Sequence, residues 1–153
     1  MANIEQQVSG LVLVVDDDEG VDVVPPSPKF CPRGPGLGPR RPKVVVDAGN
    51  GTAGPFAVPI YERLGLGVVP LFCEMDATFP NHHPDPTQPK NLQDVIRTLA
   101  SSDAELGLAF DGDGDRLGVV TKDGSIIYAD RQLMLFAADV LKRKPGAEIV
   151  YDV

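Results

Sequence analysis

The chain has 153 residues, a hydrophobic fraction of 42%, and 14 basic against 22 acidic side chains, for a net charge of −8. That length allows one ordinary domain with a tail and excludes a large multidomain enzyme working alone. The acidic balance, with basic clusters only at Arg40-Arg41 and Lys142-Arg143-Lys144, argues against nonspecific nucleic-acid binding, which needs basic patches that displace counterions. No apolar run approaches the roughly 18 residues of a membrane span. The N-terminus lacks the basic region of a secretory signal, and acidic residues follow the short apolar run Leu11 to Val15. Cys31 and Cys73 read most simply as two thiols of a cytoplasmic protein, with a single disulfide left open.

Glycine and proline divide the chain. Residues 1–42 hold 7 prolines and 5 glycines, and residues 43–153 hold 8 and 11. The first part reads as an irregular Pro/Gly-rich leader. Within it, the apolar, acidic and apolar runs of residues 1–24 suggest a short strand-turn-strand ending in VDVV, and PPSPKFCPRGPGLGPRRP (25–42) reads as a disordered linker. The second part, 43–153, reads as the folding unit.

KVVVDA (43–48) is a β-branched run closed by glycine, which predicts a buried strand. GNGTAG (49–54) is a glycine turn. Residues 55–64 predict a helix with Phe56, Ile60 and Leu64 on one face, provided that Pro59 falls in its first turn. GVVPLFC (67–73) predicts a second strand, followed by a long loop through TFPNHHPDPTQPK. Residues 91–101 predict an amphipathic helix burying Leu92, Val95, Ile96 and Leu99. ELGLAF (105–110) is a third strand that runs straight into DGDGDR (111–116). LGVVT (117–121) and SIIYA (125–129) predict a hairpin across Lys122-Asp123-Gly124. Asp130 is placed to cap a helix over 131–144 with Leu133, Phe136, Ala137 and Val140 inward. AEIVYDV (147–153) begins a last strand. The order β-α-β-α-β-β-α-β predicts an α/β fold with a mixed, largely parallel sheet and helices on both faces.

The chemistry concentrates in Asp111-Gly112-Asp113-Gly114-Asp115-Arg116. Strand C-terminal ends are where α/β sheets bind ligands. Three carboxylates at alternate positions, with glycines between them, can all turn toward one point. Their repulsion calls for a hard divalent cation, and all-oxygen ligation suits magnesium or calcium. Arg116 adds a fork of donors suited to phosphate. An EF-hand loop is excluded, because its glycine and glutamate positions hold Arg116 and Lys122. A phosphatase-like aspartate nucleophile is the weaker competitor, since no partner lysine or second acidic motif is placed for it. In FPNHHPDP (79–86), adjacent side chains point apart, so His82 and His83 do not share one ion. There Asn81, His82 and Asp85 are expected to make local hydrogen bonds in a proline-fixed loop.

VVVDAGNGTAG (44–54), FPNHHPDP (79–86) and LGLAFDGDGDR (106–116) together resemble the α-D-phosphohexomutase family, and within it the second domain of bacterial phosphomannomutase/phosphoglucomutases. The resemblance covers about residues 41–153. It implies an isomerase of carbohydrate metabolism that interconverts hexose 1-phosphates and 6-phosphates by intramolecular phosphoryl transfer. Such enzymes use four domains, a phosphoserine and bound Mg2+. Carried over, Asp111, Asp113 and Asp115 would be the metal ligands and Arg116 would lie beside the phosphate. No catalytic residue is carried over: Ser9, Ser27, Ser101, Ser102 and Ser125 all lack the context of the phosphoserine loop. The implied partners are a hexose phosphate in the intact enzyme and the further domains of that enzyme. Residues 1–42 do not resemble the first domain, and the matching region stops where the third would follow, as expected of a truncated or mis-assembled reading frame. The alternative is a noncatalytic magnesium- or partner-binding module.

Overall fold

The computed structural model describes residues 7–8, 11–12 and 40–150. It divides into two units, Met1–Gly38 and Pro39–Val153. In the first, β1 (Gln7–Val8) pairs antiparallel with β2 (Leu11–Val12). The strand expected in VDVV, like the linker reading of residues 25–39, lies outside the described residues.

The second unit is built around three consecutive valines. Val44, Val45 and Val46 are all buried, as in a parallel strand covered on both faces. They form β3 (Lys43–Asp47), which pairs in parallel with β4 (Gly67–Leu71) on one side and β5 (Leu106–Phe110) on the other. β6 (Leu117–Thr121) and β7 (Ile126–Ile127) add antiparallel strands beyond β5, giving the order β4-β3-β5-β6-β7. The sheet is mixed, as the sequence predicts, but only half of its pairings are parallel: β4-β3-β5 are parallel, and β6 and β7 add two antiparallel pairings.

Alternation along β3 splits the core. Val45 points to one face, where it meets Leu92, Val95 and Leu99 of α2 (Gln93–Ser101) and the helical turn before it. Val44 and Val46 point to the other, against Ala57, Val58 and Tyr61 of α1 (Gly54–Arg63). Burying a leucine or valine is worth about 1.5–3 kcal/mol, so these facing clusters fix both helices to the sheet. The predicted inward face of α2 is the observed one.

The predicted inward face of α1 is not. Ala57, Val58 and Tyr61 face the sheet, whereas Leu64 is 40% exposed at the helix end. Gly54 sets the rotation. A Cβ there would lie 2.2 Å from the Cys73 carbonyl oxygen, so this side of the helix is pressed on the chain leaving β4. The positions three, four and seven residues on then follow it inward. Pro59 stands in the second turn and not the first, yet α1 continues through it. Pro55 and Pro59 are both exposed, which leaves the carbonyl that Pro59 cannot bond open to water.

α3 (Ala129–Arg143) starts earlier than predicted, and Tyr128, not Asp130, is its N-cap. Asp130 lies in the first turn, where its charge still suits the helix N-terminus. Gln132 ties the helix down by donating to the carbonyls of Leu117 (3.1 Å) and Ile127 (2.8 Å). Leu133, Ala137 and Val140 are half-buried, Phe136 is exposed, and no α3 residue is fully buried. Residues 147–150 form no strand, and Val150 is 90% exposed. A strand needs a ladder partner, and among the described residues none pairs with 147–150. Tyr151–Val153 lie outside the described residues.

Candidate metal centre

The strands β3, β4 and β5 run parallel, so their carboxyl ends share one edge of the sheet. The chain leaves β3 through α1 to β4 on one side, then crosses through α2 to β5 on the other. Strand order therefore reverses beside β3, and ligands of open α/β sheets bind at such a switch point. The loops that follow these strands carry GNGTAG, FPNHHPDP and DGDGDR. All three motifs singled out in the sequence thus meet at one edge.

The aspartate loop closes on itself. The Asp111 amide donates to the Arg116 carbonyl (3.3 Å), and the Gly114 amide donates to the Asp111 carbonyl (3.3 Å). Gly114 takes φ +81°, the left-handed backbone expected of this loop. One carboxylate oxygen from each of Asp111, Asp113 and Asp115 can lie within 4.8 Å of the others, with Asp111 buried and the other two exposed. Asp111 accepts hydrogen bonds from the Arg116 backbone amide (3.0 Å) and Nε (2.7 Å). The Arg116 guanidinium also lies 3.6 Å from Asp115 and 3.7 Å from Asp85. The loop's single cation is thus folded back over its carboxylates.

The electrostatics are those of a crowded anionic site. Burial works to raise Asp111, but the hydrogen bonds and charge of Arg116 hold it below the ordinary carboxylate range. Asp115 is pushed up, first by a hydrogen bond shared with Asp111 and then by the negative charge of Asp111 and Asp113. A group that resists ionisation because its neighbours are anionic is one that a divalent cation would relieve. The three all-oxygen donors fit magnesium, which takes carboxylate and water oxygens and keeps positions open for phosphate.

Two further loops support this one. Thr52 donates to the Gly112 carbonyl from both its amide (2.9 Å) and its hydroxyl (3.2 Å). A Cβ on Gly51 would lie 2.7 Å from the same oxygen, so only glycine admits this approach. On the opposite side, a Cβ on Gly112 would stand 3.4 Å from Cγ of Pro84, and one on Gly118 would stand 2.7 Å from Cβ of Pro86.

The expectation of local hydrogen bonds in FPNHHPDP needs correction. Asp85 is local, accepting from the Thr87 amide (3.1 Å) and hydroxyl (2.6 Å). Asn81 instead reaches Asn50, donating to its side-chain oxygen at 2.7 Å. His82 makes one local contact, from Nδ1 to the His83 carbonyl (3.0 Å), and one long-range contact, from Nε2 to Asp47 (3.1 Å). The two histidines do point apart: the His82 ring packs edge-on against Phe72, and that of His83 against Phe79. Sequence reasoning missed Asp47. Its signal was a carboxylate at the end of an otherwise apolar strand. Burial pushes Asp47 up, and the Gly49 amide and His82 only partly oppose this.

The serines among the described residues lie elsewhere. Ser101 and Ser102 close α2 ahead of β5, and Ser125 lies in the turn between β6 and β7, at the sheet edge opposite the aspartate loop. Cys73 is a free thiol, half-buried and donating to the Leu71 carbonyl. Among the described residues, no helix is long and apolar enough to cross a membrane.

Comparison with known proteins identifies the family. The family model "Phosphoglucomutase/phosphomannomutase, alpha/beta/alpha domain II" matches residues 36–124. A phosphoglucomutase of Neisseria meningitidis is 66% identical over 115 residues, which are 74% of this chain and 25% of the relative. A phosphomannomutase/phosphoglucomutase of Pseudomonas aeruginosa is 62% identical over 111 residues, 72% of this chain and 24% of that protein. The crystal structure of a phosphoglucomutase/phosphomannomutase family protein from Burkholderia thailandensis superposes with a TM-score of 0.70 at 66% identity, covering 71% of this chain and 24% of that one. The chain therefore spans about a quarter of the length of the relatives it matches. It belongs to the phosphoglucomutase/phosphomannomutase family, of which it carries the α/β/α domain II.

Proposed function

We propose that this chain supplies the magnesium-binding domain of a cytoplasmic phosphohexomutase, an isomerase that interconverts hexose 1-phosphates and 6-phosphates. The observation that carries the reading is the convergence of Asp111, Asp113 and Asp115 at the switch point of a domain II fold. These three residues would hold the ion. A bound Mg2+ would neutralise charge on a phosphoryl group during its transfer. Arg116 orients Asp111 through two hydrogen bonds, and part of its guanidinium remains exposed for an incoming phosphate. The Thr52 and Pro84 contacts hold Gly112, between Asp111 and Asp113, from two sides.

The nucleophile, the sugar and the other half of the reaction would come from further domains of the same enzyme. Two features support such partners. Met134 and Leu135, in the middle of α3, are 70% and 71% exposed, an apolar surface of the kind that marks a contact with another domain. A groove of about 450 Å3 runs from Asp115 and Arg116 along Gln132, Leu133 and Phe136. It would join the metal loop to whatever covers that helix.

Turnover of glucose 1-phosphate tests the reading in two arms. In the intact enzyme, Asp113→Asn cuts turnover sharply at limiting magnesium, and unchanged turnover would count against the metal assignment. The 153-residue chain alone gives none, since its described serines lie away from the loop; detectable turnover would defeat the division of labour proposed here.

A further inference from the structure

The aspartate loop is gripped from two sides, by Thr52 of the loop after β3 and by Pro84 and Asp85 of the loop after β4. Those two gripping loops are also joined to each other, behind the metal site. His82 Nε2 sits 3.1 and 3.2 Å from the two carboxylate oxygens of Asp47, which is 1% exposed. Asn81 donates to Asn50, and Asn50 in turn donates to the Glu74 carbonyl at 2.9 Å. Where the loops touch, a Cβ on Gly49 would lie 2.9 Å from Cβ of Pro84 and 3.1 Å from the His82 ring.

The first of these contacts gives a buried carboxyl its partner. Both Asp47 oxygens lie within hydrogen-bonding distance of His82 Nε2, and the Gly49 amide donates to one of them at 2.8 Å, which is how a buried carboxyl is tolerated. The backbone around the clasp is strained as well. Phe72 and Phe79 take φ of +50° and +47°, conformations that bulky residues rarely adopt, and Asn50 takes +63°, which asparagine enters more readily. Phe72 lends its carbonyl to the Asn50 amide at 2.7 Å and its ring to His82. Backbone strain of this kind persists only where the surroundings over-determine it.

We propose that Asp47 and His82, with Asn50 and Asn81, are positioning residues that clasp the two supporting loops together and thereby hold the aspartate loop in ligand geometry. None of the four is a metal ligand. The proposal rests on the metal reading above in one respect: the geometry it preserves is that of Asp111, Asp113 and Asp115.

The test uses the full chain and two readouts: Mn2+ affinity, by electron paramagnetic resonance of the free ion, and amide hydrogen exchange. His82→Ala weakens Mn2+ binding by about tenfold, the range found when groups outside the ligand set are removed. His82→Gln, which keeps an N–H donor toward Asp47, recovers most of the loss. Exchange quickens in His82→Ala at the Thr52 and Arg116 amides, which donate into the aspartate loop, and stays unchanged at Val45 in β3. A purely structural role would instead quicken all three together. Should His82→Ala fail to fold, Asn81→Ala removes the second contact alone and gives a smaller shift in the same direction. Mn2+ affinity and Thr52 exchange both unchanged in the alanine variants would overturn the proposal. If the unsubstituted chain binds no Mn2+, the metal reading falls, and exchange at Thr52 and Arg116 alone decides whether the clasp positions the loop.

Discussion

Gly51→Ala is the sharpest perturbation of the loop packing. Gly51 is not among the left-handed glycines, so alanine meets no left-handed strain and the folded-state loss is one of contact. The new Cβ would lie 2.7 Å from the Gly112 oxygen and 2.9 Å from its Cα, both backbone atoms that cannot swing aside. Ordinary contact begins at 3.4 Å, so the loops must part by about 0.7 Å. The 2.9 Å bond from the Thr52 amide would then stretch past hydrogen-bonding range, and that from its hydroxyl would follow. Two such bonds are worth about 1–3 kcal/mol together. Against this, alanine restricts the unfolded chain and returns about 0.4–1 kcal/mol. The steric loss wins, and urea denaturation should show a net destabilisation of about 1–2 kcal/mol, with Mn2+ affinity falling in parallel. A variant as stable as its parent, with Mn2+ affinity unchanged, would refute the packing described here.

Three further outcomes are expected. Leu99→Ala removes a fully buried side chain and should cost about 2–5 kcal/mol in urea denaturation. Lys122 donates to the carbonyls of Leu99 and Ser102 at the end of α2, so Lys122→Met should cost about 1 kcal/mol, read the same way. Acid should destabilise the fold. Asp76, Asp85, Asp103 and Asp123 are held below the ordinary value of 3.8, chiefly by hydrogen bonds from Thr78, Thr87, Lys43 and Thr121. Lowered carboxyls bind protons more tightly in the unfolded chain, so their contribution is present above pH 3.8 and lost as pH falls below it. Asp47, which is raised, works the opposite way above that window. Urea midpoints should therefore fall modestly below pH 3.8, since Asp76, Asp103 and Asp123 are exposed and screened, and fall less in Asp123→Asn.

The strands were legible because their signals are local. Val44 to Val46, bounded by glycine, admit little but a covered strand, and Leu92, Val95 and Leu99 repeat at helical spacing. The facing of α1 was hidden because Gly54 decides it through a close approach to Cys73, a contact nineteen positions away in the sequence. The start of α3 was misplaced because Asp130 is an equally good first-turn residue. In the site, the aspartate loop announced itself, since alternating carboxylates and glycines have few uses. The clasp did not. Asp47 and His82 are separated by 35 positions, and each alone reads as a strand end or a loop histidine. Only the parallel pairing of β3 with β4, which brings both loops to one edge, makes them neighbours.

The central claim is that Asp111, Asp113 and Asp115 together hold one divalent cation. Titration of the 153-residue chain with Mn2+, followed by electron paramagnetic resonance, tests it most directly. One ion should bind per chain, Mg2+ should displace it, and binding should be lost in Asp113→Asn. Absence of binding, or binding that Asp113→Asn leaves intact, would contradict the claim.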